Sequence, residues 1–147
     1  MILDDAIIEQ LIEFSRNWEA EDSCYGYRAN SRQDFEGRRV FLSFEDGRIT
    51  GYLFGRGYNP DKMRSVLPEG SNCFEVEELY VVPEMRGRGT GSALFKFAED
   101  AVVQQAEFIT LATATKNWRA ILHFYIEELG MEFHSASLFK RVKRKAE

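Results

Sequence analysis

The chain has two cysteines, two histidines and three prolines in 147 residues, and its apolar runs are only a few residues long. Each scarcity excludes something. Cys24 and Cys73 share no close spacing, and with so few histidines they do not make a structural zinc site, so no metal is expected. Reduced, non-essential thiols are the expectation. A spanning helix needs about 20 consecutive apolar residues, so neither a transmembrane segment nor a membrane partner is expected. Met1-Ile2-Leu3-Asp4-Asp5 carries acids where a secretory signal needs basic residues, which points to a cytoplasmic protein. Positive charge is scarce too: 19 lysines and arginines face 24 acids, a net charge of −5. That balance disfavours nucleic acid as a partner. The one basic cluster, Lys140 to Lys145, reads as a solvated tail, and the remainder is more acidic still. Such a body favours a cationic substrate, for instance an amine.

What is present is an ordinary globular composition, 44% hydrophobic and 29% charged, enough for one domain over residues 1–147. Asp4 to Glu19 places Ile7, Ile8, Leu11, Ile12, Phe14 and Trp18 on one helical face, with Asp4 or Asp5 as cap. Ala20 to Glu36 is a loop or short second helix, either bordering a substrate pocket or simply connecting. Arg39–Phe44 and Ile49–Gly55 are strands joined by an Asp46-Gly47 hairpin turn. Tyr58 to Asn72 is a loop, Cys73 to Val82 a third strand, and Thr90 to Gln105 an amphipathic helix. Phe108 to Ala114 is apolar enough for a central strand. A helix from Trp118 to Leu129, started by Asn117 or Thr115, ends at Gly130. Glu132 to Val142 closes the chain as one bent strand or a tight hairpin.

The most informative stretch joins the third strand to its helix: Leu79-Tyr80-Val81-Val82-Pro83-Glu84-Met85-Arg86-Gly87-Arg88-Gly89-Thr90-Gly91-Ser92. Glycines at alternate positions permit positive φ, and the following helix start presents unpaired N–H groups. This is an anion site, suited to a phosphate or pyrophosphate. It is not a P-loop, which would need Gly-Lys-Ser/Thr. It is not a dinucleotide fingerprint either, because it comes mid-chain after an antiparallel hairpin.

Arg86-Gly87-Arg88-Gly89-Thr90-Gly91 does fit R-x-x-G-x-G, and with the preceding Leu-Tyr-Val-x-Pro strand end it resembles the GNAT superfamily of acetyl-CoA-dependent N-acetyltransferases. Asn117-Trp118-Arg119-Ala120 through Tyr125, then Leu129-Gly130-Met131, is similar to that family's second segment. The resemblance covers roughly residues 39–142. It implies an α/β (α+β) fold: one GNAT-like domain with a mixed, mostly antiparallel sheet flanked by helices, the N-terminal strand short or absent at Met1-Ile2-Leu3.

The resemblance also implies roles. Backbone N–H groups of Gly87, Arg88, Gly89, Thr90, Gly91 and Ser92 would hold the pyrophosphate of acetyl-CoA. Arg86 and Arg88 would add charge or hold the loop in shape. The strand edge at Tyr80, Val81 and Val82 would pair with the pantetheine arm, and an N–H there would meet the acetyl carbonyl. Asn117 would contact pantetheine or cap its helix. Strand alternation groups Glu75 and Glu77 with Leu79 and Val81, and Glu78 with Tyr80. The family's base commonly lies two or four residues before the Leu79 position, which selects Glu77, then Glu75. Tyr125 is the acid for the departing thiolate. Its spacings from Asn117 and to Gly130 are each one residue longer than usual, so the helix starts late or contains a bulge.

The expected activity is direct acetyl transfer from acetyl-CoA to a small-molecule primary amine in a ternary complex. A non-catalytic acyl-CoA sensor and an enzyme acting on protein N-termini or lysines are the alternatives. A homodimer stays open.

Overall fold

The computed structural model describes residues 3–60 and 67–143. Helix α1 (Asp5–Glu21) begins where the Asp4 carboxylate accepts the Ile7 N–H at 2.8 Å. It ends at Asp22, in left-handed conformation, whose N–H returns to the Glu19 carbonyl. Strands β1 (Arg39–Glu45) and β2 (Arg48–Tyr58) form an antiparallel hairpin. Asp46 and Gly47 both have positive φ, 52° and 76°, as a turn matched to strand twist requires. Strand β3 (Cys73–Val81) pairs antiparallel with β2, and β4 (Phe108–Thr110) runs parallel to β3. The sheet order is β1-β2-β3-β4. Helix α2 (Thr90–Val102) follows β3, and α3 (Trp118–Leu122) continues as a π-helical turn over His123–Glu128.

Both faces of the sheet are covered. Leu11, Ile12 and Phe14 of α1 pack with Phe35, Tyr52, Phe54, Tyr80 and Val82. Leu94, Phe95, Ala98 and Val102 of α2 pack with Phe41, Leu53, Phe74 and Val76 on the other side. A bulge in β3 decides which residues see which core. Phe54 faces Glu78 and Gly55 faces Val76, leaving Glu77 as the extra residue. Strict alternation would put Phe74, Val76, Glu78, Tyr80 and Val82 on one face. Instead Phe74 and Val76 join Leu79 in the α2 core, while Tyr80 and Val82 join the α1 core. The expected split of Glu75 and Glu77 from Glu78 is therefore wrong: the bulge brings all three to the α1 side.

Gly55 makes the bulge possible. A Cβ there would lie 2.0 Å from the Glu75 carbonyl oxygen and 2.9 Å from the Phe74 ring. Gly55→Ala should destabilise the fold by about 3 kcal/mol, read from the urea midpoint. A cost under about 1 kcal/mol would mean that the two strands separate there without strain.

Two further expectations need correction. The apolar run from Phe108 is not a central strand: only Phe108–Thr110 makes a ladder, at the sheet margin among the described residues. Its pairing stops opposite Glu75, two residues before the bulge turns β3 away. Glu132 to Val142 forms no strand, and Leu138, Phe139 and Val142 are exposed. A β-prone composition without a ladder partner does not make a strand. Of the N-terminal Met1-Ile2-Leu3, the first two lie outside the described residues; Leu3 is not in a strand but packs on the α1 core.

Candidate active site

From Val76 onward, the edge of β3 facing away from β2 is unpaired among the described residues. The Val82 N–H donates to the Thr50 carbonyl at 2.9 Å, so Val82 and, by alternation, Tyr80 turn their peptide groups to β2. Leu79 and Val81 turn theirs into the gap. Of the three edge residues expected to meet the cofactor, Val81 alone offers a free N–H. Tyr80 and Val82 are engaged in the sheet, and Leu79 turns its peptide group to the same open edge as Val81.

The open edge leads through a short 3₁₀ turn (Pro83–Met85) into the glycines. Gly87 and Gly89 have φ of 77° and 84°, which only glycine adopts freely. Gly89 is the N-cap of α2 and supplies no side-chain cap, so the N–H groups of Thr90, Gly91 and Ser92 open on an anion-ready helix start. At Gly91 a Cβ would meet only ordinary contacts, 3.4 Å from the Phe124 ring and 3.7 Å from Val81 Cγ2, so packing does not demand glycine there. Arg88 is exposed, with Nη1 3.8 Å from the Met85 sulfur. Arg86 is held within the protein instead, by Glu21 and the Val81 carbonyl. It shapes the loop.

The three glutamates of β3 differ in surroundings. Glu77 pairs with Arg38, both side chains about one-quarter exposed. Arg38 Nε approaches Oε1 to 2.6 Å off the hydrogen-bonding direction, while Nη2 donates to Oε2 at 3.3 Å. Glu78 is buried deeper. Tyr27 Oη, Tyr52 Oη and Asn30 Nδ2 all donate to its Oε1, at 2.9, 2.8 and 3.0 Å. Burial pushes its carboxyl above the ordinary 4.5, against the opposing pull of those donors. Burial, then the neighbouring Glu78 charge, raises both phenols, so they stay protonated as donors. Glu75, half-buried, has no ion pair among the described residues.

A carboxyl raised on folding adds stability that is complete below 4.5 and is lost as pH rises through its folded value. Glutamine at 78 accepts the same three donors without ionising. Glu78→Gln should therefore gain stability relative to the native protein between pH 4 and 7, seen in parallel urea titrations; an unchanged difference would refute the burial argument.

Tyr125 lies in the π-helical turn, where Leu129 N–H bonds the Phe124 carbonyl five residues back, at 3.0 Å. Of the two alternatives the long spacing left open, a late helix start or a bulge, that turn is a bulge. Tyr125 packs edge-on to Phe95 and Phe124, and burial, with a smaller effect from Cys24, pushes its hydroxyl up to about 12. Asn117 precedes α3, but its side chain makes no capping bond; only its carbonyl accepts the Ile121 N–H. The segment after α1 closes over the gap. Tyr25 N–H bonds the Ala114 carbonyl, Lys116 N–H bonds the Ser23 carbonyl, and Lys116 pairs with Asp22 at 3.0 Å. Sequence reasoning ranked Glu78 last and missed Glu21 and Arg38. No local pattern marks long-range ionic partners.

A depression of about 450 Å³ lies between α1 and the β1–β2 hairpin, lined by Ile7, Phe14, Phe44 and Ile49. It lacks the open strand edge. Among the described residues no group of three or more His, Cys, Asp or Glu is placed to hold a metal, and no helix is long and apolar enough to cross a membrane.

A mixed sheet whose β3–β4 pairing stops at Glu75, next to an uncapped glycine-rich helix start, is an α/β fold with an open strand edge beside an anion-ready turn. The chain belongs to the acetyltransferase (GNAT) family, whose model matches residues 6–131, and so to the acyltransferases. Among curated proteins none matches it. It is similar in fold to a transcriptional regulator from Bacillus halodurans C-125, with TM-score 0.70, 18% identity and coverage of 96% of this chain and 97% of that one. A putative acetyl transferase from Pyrococcus furiosus gives 0.67, 18%, 94% and 95%. Aminoglycoside N-acetyltransferase AAC(6')-Iy, in complex with CoA, gives 0.66, 15%, 97% and 97%.

Proposed function

We propose that the protein transfers the acetyl group of acetyl-CoA to a primary amine of a small molecule, by direct attack in a ternary complex. One observation carries the reading: the free N–H groups of Leu79 and Val81 lead straight into the uncapped start of α2. The pyrophosphate lies on the N–H groups from Gly87 to Ser92, with Arg88 beside it. Pantetheine runs along the open edge, and Leu79 or Val81 donates to the acetyl carbonyl, stabilising the charge that develops there.

The new N–C bond forms as the C–S bond breaks, and the amine proton leaves through water to a carboxylate. Distance selects that carboxylate. Glu77, the extra residue of the bulge, lies within about 7 Å of Leu79 along the strand, whereas Glu75 stands opposite Arg56 and Leu79 opposite Leu53, three strand positions or about 10 Å apart. Glu78 already accepts three donors on one oxygen. Arg38 orients Glu77 and balances its charge. Tyr125 faces a thiolate whose ordinary thiol value is about 8.5. A hydroxyl near 12 is too weak an acid to complete that transfer, so it steadies the thiolate by a hydrogen bond and solvent supplies the proton.

The same ion pair on Glu77 favours a second reading, an acyl-CoA sensor that binds without turnover. A thermal-shift assay with acetyl-CoA, followed by free-thiol release across a panel of amines, separates the two. Release above the amine-free rate supports transfer; stabilisation without release supports the sensor. No stabilisation sinks both.

A further inference from the structure

Arg86 opens the glycine turn, yet its guanidinium is occupied inside the protein. Nη1 and Nη2 donate to Oε1 and Oε2 of Glu21 at 2.6 and 2.9 Å. Nε donates to the Val81 carbonyl at 2.8 Å, and the group lies 5.3 Å over the Tyr80 ring. Glu21 is the last residue of α1. Beyond it the chain reaches Ala114 and Lys116 on one side of the gap and Glu78 on the other. One side chain thus joins the end of α1, the last residue of the open strand edge, and the start of the anion turn.

Exposed ion pairs generally contribute little, and these side chains are 43% and 27% exposed. A forked arginine–carboxylate pair is the exception, since two parallel bonds fix direction as well as distance. Here the fixed direction aims Nε at a backbone carbonyl. Val81 is where β3 ends, and its carbonyl shares the open edge with its N–H. Engaging that carbonyl sets the tilt of the last peptide before the turn. It also removes a partial negative charge that would otherwise face the incoming thioester oxygen.

We propose that Glu21 and Arg86 are a positioning pair for the acyl donor: Glu21 orients Arg86, and Arg86 holds the Val81 carbonyl so that strand edge and glycine turn stay in line. The role rests on the acetyl-CoA reading given above. It differs from a simple staple between α1 and the turn, because the bond that matters is the one from Nε.

Glutamine and methionine at position 86 separate the two roles. The glutamine amide nitrogen stands the same number of bonds from Cα as arginine Nε and can still donate to Val81. Methionine has similar length and no donor. Both lose the ion pair. Calorimetric titration of the whole protein with acetyl-CoA, alongside Tm without ligand, reads the difference. Arg86→Met should weaken acetyl-CoA about tenfold and Arg86→Gln no more than about threefold, with equal drops in Tm. Glu21→Ala should weaken binding about fivefold alone and add nothing to Arg86→Met, since both act through one link. Equal weakening by glutamine and methionine would reduce the pair to a staple and overturn the proposal, as would an unchanged affinity in Arg86→Met. If the unaltered protein fails to bind acetyl-CoA, the acetyltransferase reading fails and the pair's role with it.

Discussion

Replacing Gly89 by aspartate is expected to abolish acetyl-CoA binding while leaving the fold intact. Two effects act together at this residue. Its φ of 84° lies where a side chain costs about 1–2 kcal/mol, so any substitution weakens the turn. Aspartate also places a negative charge at the one point where the backbone gathers positive potential for a phosphate. Gly89→Ala isolates the first effect, because its Cβ would meet nothing within 4 Å. Alanine should weaken acetyl-CoA about tenfold, the equivalent of that strain. Aspartate should weaken it by more than about a thousandfold, since it competes directly for the same N–H groups. The carboxylate beside a helix start offsets part of the strain in the free protein, so Tm should stay within a few degrees of the native value. Calorimetric titration and a melting curve on the same sample test both halves. An aspartate variant that binds acetyl-CoA within tenfold of the native protein would remove the turn from its proposed role.

Much of this architecture was legible because local chemistry wrote it. Asp4 caps α1, Asp46-Gly47 makes the hairpin, and the alternate glycines announce an open helix start. Each is a short-range effect, decided within four or five residues. The long spacing around Tyr125 was legible only in part: it left a late helix start or a bulge open, and the helix widens at His123–Glu128. What escaped was long-range. The bulge at Glu77 depends on Gly55 of the neighbouring strand, some twenty residues earlier, and its effect was to bring onto one face the three glutamates that alternation had split. Arg38 and Glu21 carry no pattern at all, because an ion pair across 39 or 65 positions leaves no periodic trace. The C-terminal segment misled in the opposite sense. Its apolar residues suggested a strand, but pairing requires a neighbour in register, and β4 had already left the sheet.

On the proposed reading, position along β3 predicts which substitution there should cost most activity. Glu77→Gln keeps the shape of the side chain and an oxygen for Arg38, but it cannot accept a proton. With any amine that releases thiol in the panel, kcat should fall about a hundredfold or more, the usual contribution of a positioned base. Acetyl-CoA affinity should stay within twofold, because no part of the donor's phosphate site is touched. Glu75→Gln should lower kcat no more than about threefold, being about 10 Å along the bulged strand from the Leu79 N–H. Glu78→Gln should fall between the two, since glutamine still accepts from Tyr27, Tyr52 and Asn30 but alters the charge beside the base. The ordering is the test, because a general loss of folding would lower all three together. Should Glu75→Gln match Glu77→Gln, the distance argument fails and the proton leaves by the far end of the strand. Should Glu77→Gln retain its rate, Arg38 and Glu77 are a structural pair and no carboxylate on β3 is the base.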